Sequence, residues 1–82
     1  MGTEAVNVGI MGFGTVGSGT ARILLHNGGL IAERAGFPVA LRRITDLDIT
    51  TDRGLPVPDG VLTTDTKGLL ADPAIDVVVE LI

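Results

Sequence analysis

The sequence has no cysteine, which excludes disulfides, thiolate nucleophiles and cysteine metal sites anywhere in its 82 residues. It also lacks any apolar run of about 18 residues, so no segment reads as a membrane-spanning helix. The opening Met1-Gly2-Thr3-Glu4 is polar and carries an acid where a secretory leader has its basic region. Met1-Gly2 is not read as a myristoylation signal, because Val6 stands where that motif requires Ser or Thr. Positive charge is scarce, with six Lys and Arg against ten Asp and Glu and a formal net charge of −4. The sequence pI near 4.6 is far from the basic footprint of a nucleic-acid binder. No internal repeat or low-complexity stretch is present. These features read as a cytoplasmic protein without nucleic-acid or membrane partners.

What is present is apolar and rich in glycine. Hydrophobic residues make up 45% and glycine contributes 12 positions, with a mean hydropathy of +0.48. A chain of this length forms one small domain and buries only about 60% of the surface its unfolded form exposes. The last residues, Asp76-Val77-Val78-Val79-Glu80-Leu81-Ile82, form an apolar strand with no turn after it. The expectation is an N-terminal part, residues 1–82, of a longer protein whose remainder covers some of this surface.

The most informative segment is Val6-Asn7-Val8-Gly9-Ile10-Met11-Gly12-Phe13-Gly14-Thr15-Val16-Gly17. It is an apolar strand entering a helix through a GxGxxG fingerprint. Gly12 permits the tight turn, Gly14 removes a Cβ that would hold a pyrophosphate off the backbone, and Gly17 lets the helix approach the sheet. The unpaired N–H groups of the first helical turn and the helix dipole supply positive potential without a lysine. Spacing alone is weak evidence in so glycine-rich a chain, and a purely structural turn is the competing reading. The strand before and helix after favour dinucleotide binding.

Strand one is expected over residues 6–11 and helix one from Thr15, with apolar positions Val16, Ala21, Ile23, Leu24 and Leu25 and a stop at Asn27-Gly28-Gly29. A short helix follows over residues 30–35, ended by Gly36 and Pro38. Strand two spans residues 39–45, where alternation sends Arg42 and Arg43 to opposite faces. Residues 49–60 hold two prolines and two glycines, indicating an open connection where a doubly wound fold ordinarily has a helix. A third strand over 61–64, a helix over 66–71 capped by Asp65, and the Asp72-Pro73 turn lead to the last strand. The predicted fold is α/β: a Rossmann-type doubly wound parallel sheet, first half only, with connectivity β-α-β-loop-β-α-β and strand order 3-2-1-4.

At the end of strand two, Asp46 is the candidate acceptor for the adenosine ribose, Asp48 the second choice, and a plain turn aspartate the alternative. Arg53, or Arg43 from the strand, are candidates for a 2′-phosphate, each set against an ordinary surface arginine. The choice between NAD and NADP stays open. His26, the only histidine, reads as structural at the end of helix one. Glu80 either marks the ligand-binding end of the last strand or meets solvent. The single lysine, Lys67, lies far along the chain from the glycine loop, and no nucleophile and base pair emerges.

The run Gly12-Phe13-Gly14-Thr15-Val16-Gly17-Ser18-Gly19, with Leu30-Ile31-Ala32-Glu33-Arg34-Ala35-Gly36, Asp46-Leu47-Asp48, Gly60-Val61-Leu62-Thr63-Thr64-Asp65 and Asp72-Pro73-Ala74-Ile75-Asp76-Val77-Val78-Val79-Glu80, resembles the N-terminus of homoserine dehydrogenase. The resemblance covers nearly the whole chain. It implies an NAD(P)-dependent enzyme interconverting L-homoserine and L-aspartate 4-semialdehyde on the route to threonine, isoleucine and methionine, usually as a homodimer. It further implies that Phe13, Thr15 and Val16 meet the pyrophosphate region beside the glycines of the fingerprint, chiefly through backbone groups, and that Asp46 or Arg53 lies near the ribose. The family's catalytic residues match nothing in these 82 positions, so the chain alone is expected to be inactive. Other readings are a different NAD(P)-dependent small-molecule oxidoreductase, a non-catalytic nucleotide sensor, or a loop suited to FAD or S-adenosylmethionine.

Overall fold

The computed structural model describes residues 5–82, so the Met1-Gly2 start and its myristoylation question lie outside the described residues. Four parallel strands form one sheet in the order β3-β2-β1-β4, the predicted 3-2-1-4. Their bounds are β1 Val6–Met11, β2 Val39–Thr45, β3 Leu62–Thr63 and β4 Val77–Glu80, with helices α1 Thr15–His26, α2 Gly28–Ala35 and α3 Thr66–Ala71.

β1 is the central strand because its residues suit burial on both sides. Val8, Gly9 and Ile10 are all buried, and the strand pairs with β2 on one edge and β4 on the other. A Cβ on Gly9 would touch Leu69 of α3 at 3.1 Å, whereas Ile10 lies beneath Gly17 of α1. Neighbouring strand residues point to opposite faces, so α1 and α3 cover opposite sides of the sheet, as a doubly wound fold requires. Asn7 fastens the two strand starts together: its N–H donates to Asp76 Oδ2 (2.8 Å) and its side-chain amide to the Ala74 carbonyl (2.9 Å).

The core consists of Val8, Ile10, Phe13, Ala21, Ile44 and Val61, with Leu24, Leu55 and Val57 packed against it. Leu55 and Val57 belong to the connection between β2 and β3. That connection is irregular, as its prolines and glycines indicate. Its apolar residues nevertheless cover core surface that a crossover helix ordinarily covers.

Four expectations need correction. The Asn27-Gly28-Gly29 stop is made by Asn27 alone, which ends α1 and begins α2; both glycines are already helical. α2 therefore starts two residues earlier than residue 30, and left-handed Gly36 (φ 85°) closes it. The third strand shrinks from residues 61–64 to Leu62–Thr63. On α1, Val16 and Ile23 are exposed at 65% and 54%, whereas Gly17 and Ala21 are buried and Leu24 packs against the core.

The fourth correction concerns Arg42 and Arg43, expected on opposite faces. The β1–β2 register slips between Val8 and Gly9, with Val8 opposite Leu41 and Gly9 opposite Arg43. This bulge breaks the alternation. Arg42 Nε donates to Asp72 Oδ2 at 2.9 Å, while Arg43 lines a surface cavity together with Asp72. Asp72 is held below the usual carboxylate range, first by the Ala74 N–H and then by Arg42.

Ile44 is fully buried in the middle of this core. Ile44→Ala is expected to lower folding stability by about 3 kcal/mol, the cost of a poorly relaxing cavity. Denaturant titration that finds a loss below about 1 kcal/mol contradicts the packing described.

Candidate functional site

The loop between β1 and α1 gathers the glycines into one place. Gly12 takes φ +109°, a conformation only glycine adopts without strain, and its N–H still donates to the Thr45 carbonyl (2.7 Å). A Cβ at Gly12 would also press on the Leu81 carbonyl at 3.1 Å. A Cβ at Gly17 would overlap the Gly12 carbonyl group, whose carbon lies 2.8 Å away. The first turn of α1 therefore rests directly on the strand exit.

Gly14 is different. It is the N-cap of α1, exposed, with no protein atom within 4 Å of where its Cβ would stand. Its glycine serves no packing need in the protein itself. The first helical bond runs from the Ser18 N–H to the Gly14 carbonyl (2.8 Å), which leaves the N–H groups of Thr15, Val16 and Gly17 ahead of it. No side chain caps this end among the described residues, and no acid occupies the first turn. The hydroxyls of Ser18 and Thr20 bond instead to the Thr15 and Val16 carbonyls. An open, uncapped helix N-terminus behind a glycine with free space is suited to an anionic group.

The loop is tied to the end of β2. The Phe13 N–H donates to Asp46 Oδ2 at 2.6 Å, and the Asp48 N–H to Asp46 Oδ1 at 2.9 Å. These donors, the Asp48 N–H foremost and the Phe13 N–H next, hold the Asp46 carboxyl below its usual range. Asp46 is thus the turn aspartate of the alternative reading and, beyond that, a strut for the glycine loop. Each carboxylate oxygen accepts more than one hydrogen bond, so its remaining lone pairs stay available to a ligand.

Asp48 in turn organises the segment after β2. It accepts from the Thr51 hydroxyl, from the Thr51 and Thr50 N–H groups (3.1 and 3.0 Å) and from the Thr50 hydroxyl. These bonds, led by the Thr51 hydroxyl, depress its pKa strongly. Arg53 lies beside it, Nη2 at 3.7 Å from Asp48 Oδ2, and the Arg53 carbonyl accepts from Arg22 of α1 (3.4 Å). The structure thus brings Gly12 to Gly17, Asp46, Asp48 and Arg53 to one end of the sheet.

Other candidates fall elsewhere. Arg43 lines the cavity of about 500 Å³ with Thr63, Asp65 and Asp72, not the crevice by the glycine loop. His26 is exposed in the last turn of α1, the end of the helix away from Gly14. Lys67 is exposed in α3, and Glu80 is exposed on the edge strand β4 opposite Met11. Among the described residues no group of three or more metal-ligating side chains forms, and no helix is long and apolar enough to cross a membrane.

Sequence reading missed Thr45. It is 1% exposed, its hydroxyl has no partner among the described residues, and it lines a crevice of about 320 Å³ with Gly12, Asp46, Leu47, Thr66 and Ile82. Its only signal was a lone hydroxyl residue in the strand Val-Ala-Leu-Arg-Arg-Ile-Thr. The crevice lies at the carboxyl ends of β1 and β2, where open α/β sheets bind ligands.

The family described as "Homoserine dehydrogenase, NAD binding domain" matches residues 12–81, from Gly12 of the loop almost to the last residue. The chain belongs to this family. Its cofactor class is accordingly NAD(P). The chain is 44% identical over 79 residues to a homoserine dehydrogenase of Methylobacillus glycogenes and 35% identical over 79 residues to one of Bacillus subtilis. Each alignment covers 96% of the chain and 19% or 18% of the relative. A crystal structure of Staphylococcus aureus homoserine dehydrogenase superposes with a TM-score of 0.82 at 29% identity, over 95% of this chain and 20% of that one. The chain spans about a fifth of the length of these relatives.

The folded-state pKa of Asp46 lies below its ordinary value of 3.8. Stability contributed by its ionised form is therefore complete above that value and disappears as pH falls through the depressed one. Asp46→Asn keeps one acceptor but neither the charge nor the second acceptor. It is expected to lower the melting temperature at neutral pH and make the acid limb shallower below about pH 4. Parallel limbs for the two proteins contradict the strut.

Proposed function

We propose that the chain is the cofactor-binding part of a homoserine dehydrogenase that interconverts L-homoserine and L-aspartate 4-semialdehyde with NAD(P)(H), serving threonine, isoleucine and methionine biosynthesis. The supporting observation is the open Gly14 position in front of the uncapped N-terminus of α1. A bound nicotinamide dinucleotide supplies hydride-transfer chemistry.

The residues of this chain bind and orient. Backbone N–H groups of Thr15, Val16 and Gly17 hold the pyrophosphate, with Gly12 and Phe13 shaping the approach and Gly14 leaving room for it. The Phe13 N–H is committed to Asp46, so Phe13 contributes by loop shape rather than as a donor. Asp46 and Arg53 face the adenosine ribose. The groups that handle homoserine belong to parts of the enzyme outside these 82 residues, as does the surface that makes a homodimer. The enzyme works in the cytoplasm on a small-molecule substrate, and these 82 residues alone carry out no hydride transfer.

Gly14→Val fills the open position, and its Cβ has no protein atom within 4 Å beyond the adjoining residues. Calorimetry is expected to show NAD and NADP binding weakened beyond about a hundredfold with the circular dichroism spectrum unchanged. Undiminished binding by the folded variant refutes the cradle.

A further inference from the structure

The cavity of about 500 Å³ beside α3 takes no part in the cofactor reading. Leu69, Ala71 and Pro73 give it an apolar wall, and Gly60 and Gly68 leave it open by lacking side chains. Its charged groups differ in what they have left to offer. Asp72 is spent: Oδ1 accepts from the Ala74 N–H (2.9 Å) and Oδ2 from Arg42 Nε (2.9 Å). Arg43 is half-buried, and its Nη1 donates to the Arg42 carbonyl (3.0 Å). The other N–H groups of its guanidinium fork have no protein partner among the described residues. Asp65 is half committed. Its Oδ1 caps α3 by accepting from the Gly68 N–H (2.9 Å), while Oδ2 has no donor among the described residues. Gly68 lets that carboxylate lie where it does, because a Cβ there would overlap it, with the Asp65 carboxyl carbon 2.8 Å away.

Charge in and around the cavity balances. Arg42 and Arg43 offset Asp65 and Asp72, and Asp59 and Lys67, the sequence neighbours of Gly60 and Gly68, offset each other. One guanidinium and one carboxylate oxygen nevertheless stay unpaired within this neutral surrounding. A lone anion drawn to Arg43 is opposed by the two aspartates, and a lone cation drawn to Asp65 is opposed by the two arginines. A ligand that carries both charges is attracted at both ends.

We propose that this cavity is a binding site for a small zwitterion, an amino acid whose carboxylate meets the Arg43 guanidinium and whose ammonium meets Asp65 Oδ2. The planar fork of Arg43 suits a carboxylate, the free oxygen of Asp65 suits an ammonium, and Leu69, Ala71 and Pro73 receive the carbon skeleton between them. The site is separate from the glycine loop and stands whether or not a dinucleotide binds there.

The test follows amide chemical shifts of the isotope-labelled chain during separate additions of L-valine, 4-aminobutanoate, butanoate, butylamine and inorganic phosphate at constant ionic strength. The two amino acids differ in the spacing of their charges, and butanoate and butylamine carry one charge each. At least one amino acid is expected to shift the amides of Thr63, Asp65, Gly68 and Leu69 saturably, with half-saturation below about 10 mM. Butanoate, butylamine and phosphate are expected to bind about tenfold more weakly or not at all. Arg43→Gln and Asp65→Asn are each expected to weaken that amino acid about tenfold. Asparagine still accepts from the Gly68 N–H, so the cap of α3 persists, and unchanged circular dichroism spectra verify both folds. Three results overturn the proposal: neither amino acid reaching half-saturation below about 10 mM, a singly charged probe or phosphate binding as tightly as the amino acid, or an affinity indifferent to both substitutions. The comparison of probes on the unsubstituted chain decides the matter even where a variant fails to fold.

Discussion

The hydrogen bond from the Phe13 N–H to Asp46 Oδ2 is the constraint on which the site depends. A glycine loop is flexible by composition, and flexibility makes ordering on ligand binding costly. Three contacts remove that freedom. Gly17 seats α1 against the Gly12 carbonyl, the Gly12 N–H is spent on Thr45, and the Phe13 N–H is spent on Asp46. The loop is clamped to β2 at two successive positions, and the N–H groups that follow remain free. Preorganisation and availability are thus divided between neighbouring residues.

The clamp also connects the loop to the segment after β2. Asp46 bonds Asp48, Asp48 holds Thr50, Thr51 and Arg53, and Arg53 returns to Arg22 on α1. This circuit starts at the loop and closes on the helix that the loop begins. It gives the irregular residues between β2 and β3 a second task besides covering the core with Leu55 and Val57. The sheet positions the loop; the circuit carries charge to the place where the ribose is proposed to lie.

Much of this was legible from local pattern. The two-sided apolar run at residues 6–11 and the glycine spacing identify β1 and the start of α1. Prolines and glycines after Asp46 argue for an open connection, and Asp65 caps α3 through the Gly68 N–H as its position suggests. What escaped depends on pairing between strands. The slip between Val8 and Gly9 is a property of β1 against β2, so strict alternation misplaced Arg42 and Arg43. Asn27 ends one helix and starts another because its backbone leaves the helical region, after which Gly28 and Gly29 are carried along by the turn that follows. The strut role of Asp46 needs a donor 33 residues away, and the orphaned hydroxyl of Thr45 is visible only once its surroundings are packed.

The central claim is that ligand binding is concentrated at the glycine loop and the end of β2. Amide chemical shifts of the isotope-labelled chain during addition of NAD test it most directly. The account predicts the largest changes at Gly14, Thr15, Val16 and Gly17, smaller ones at Phe13, Asp46 and Asp48, and none around Arg43 and Asp72. Changes centred on the Arg43 and Asp72 cavity, with the glycine-loop amides unmoved, would contradict it.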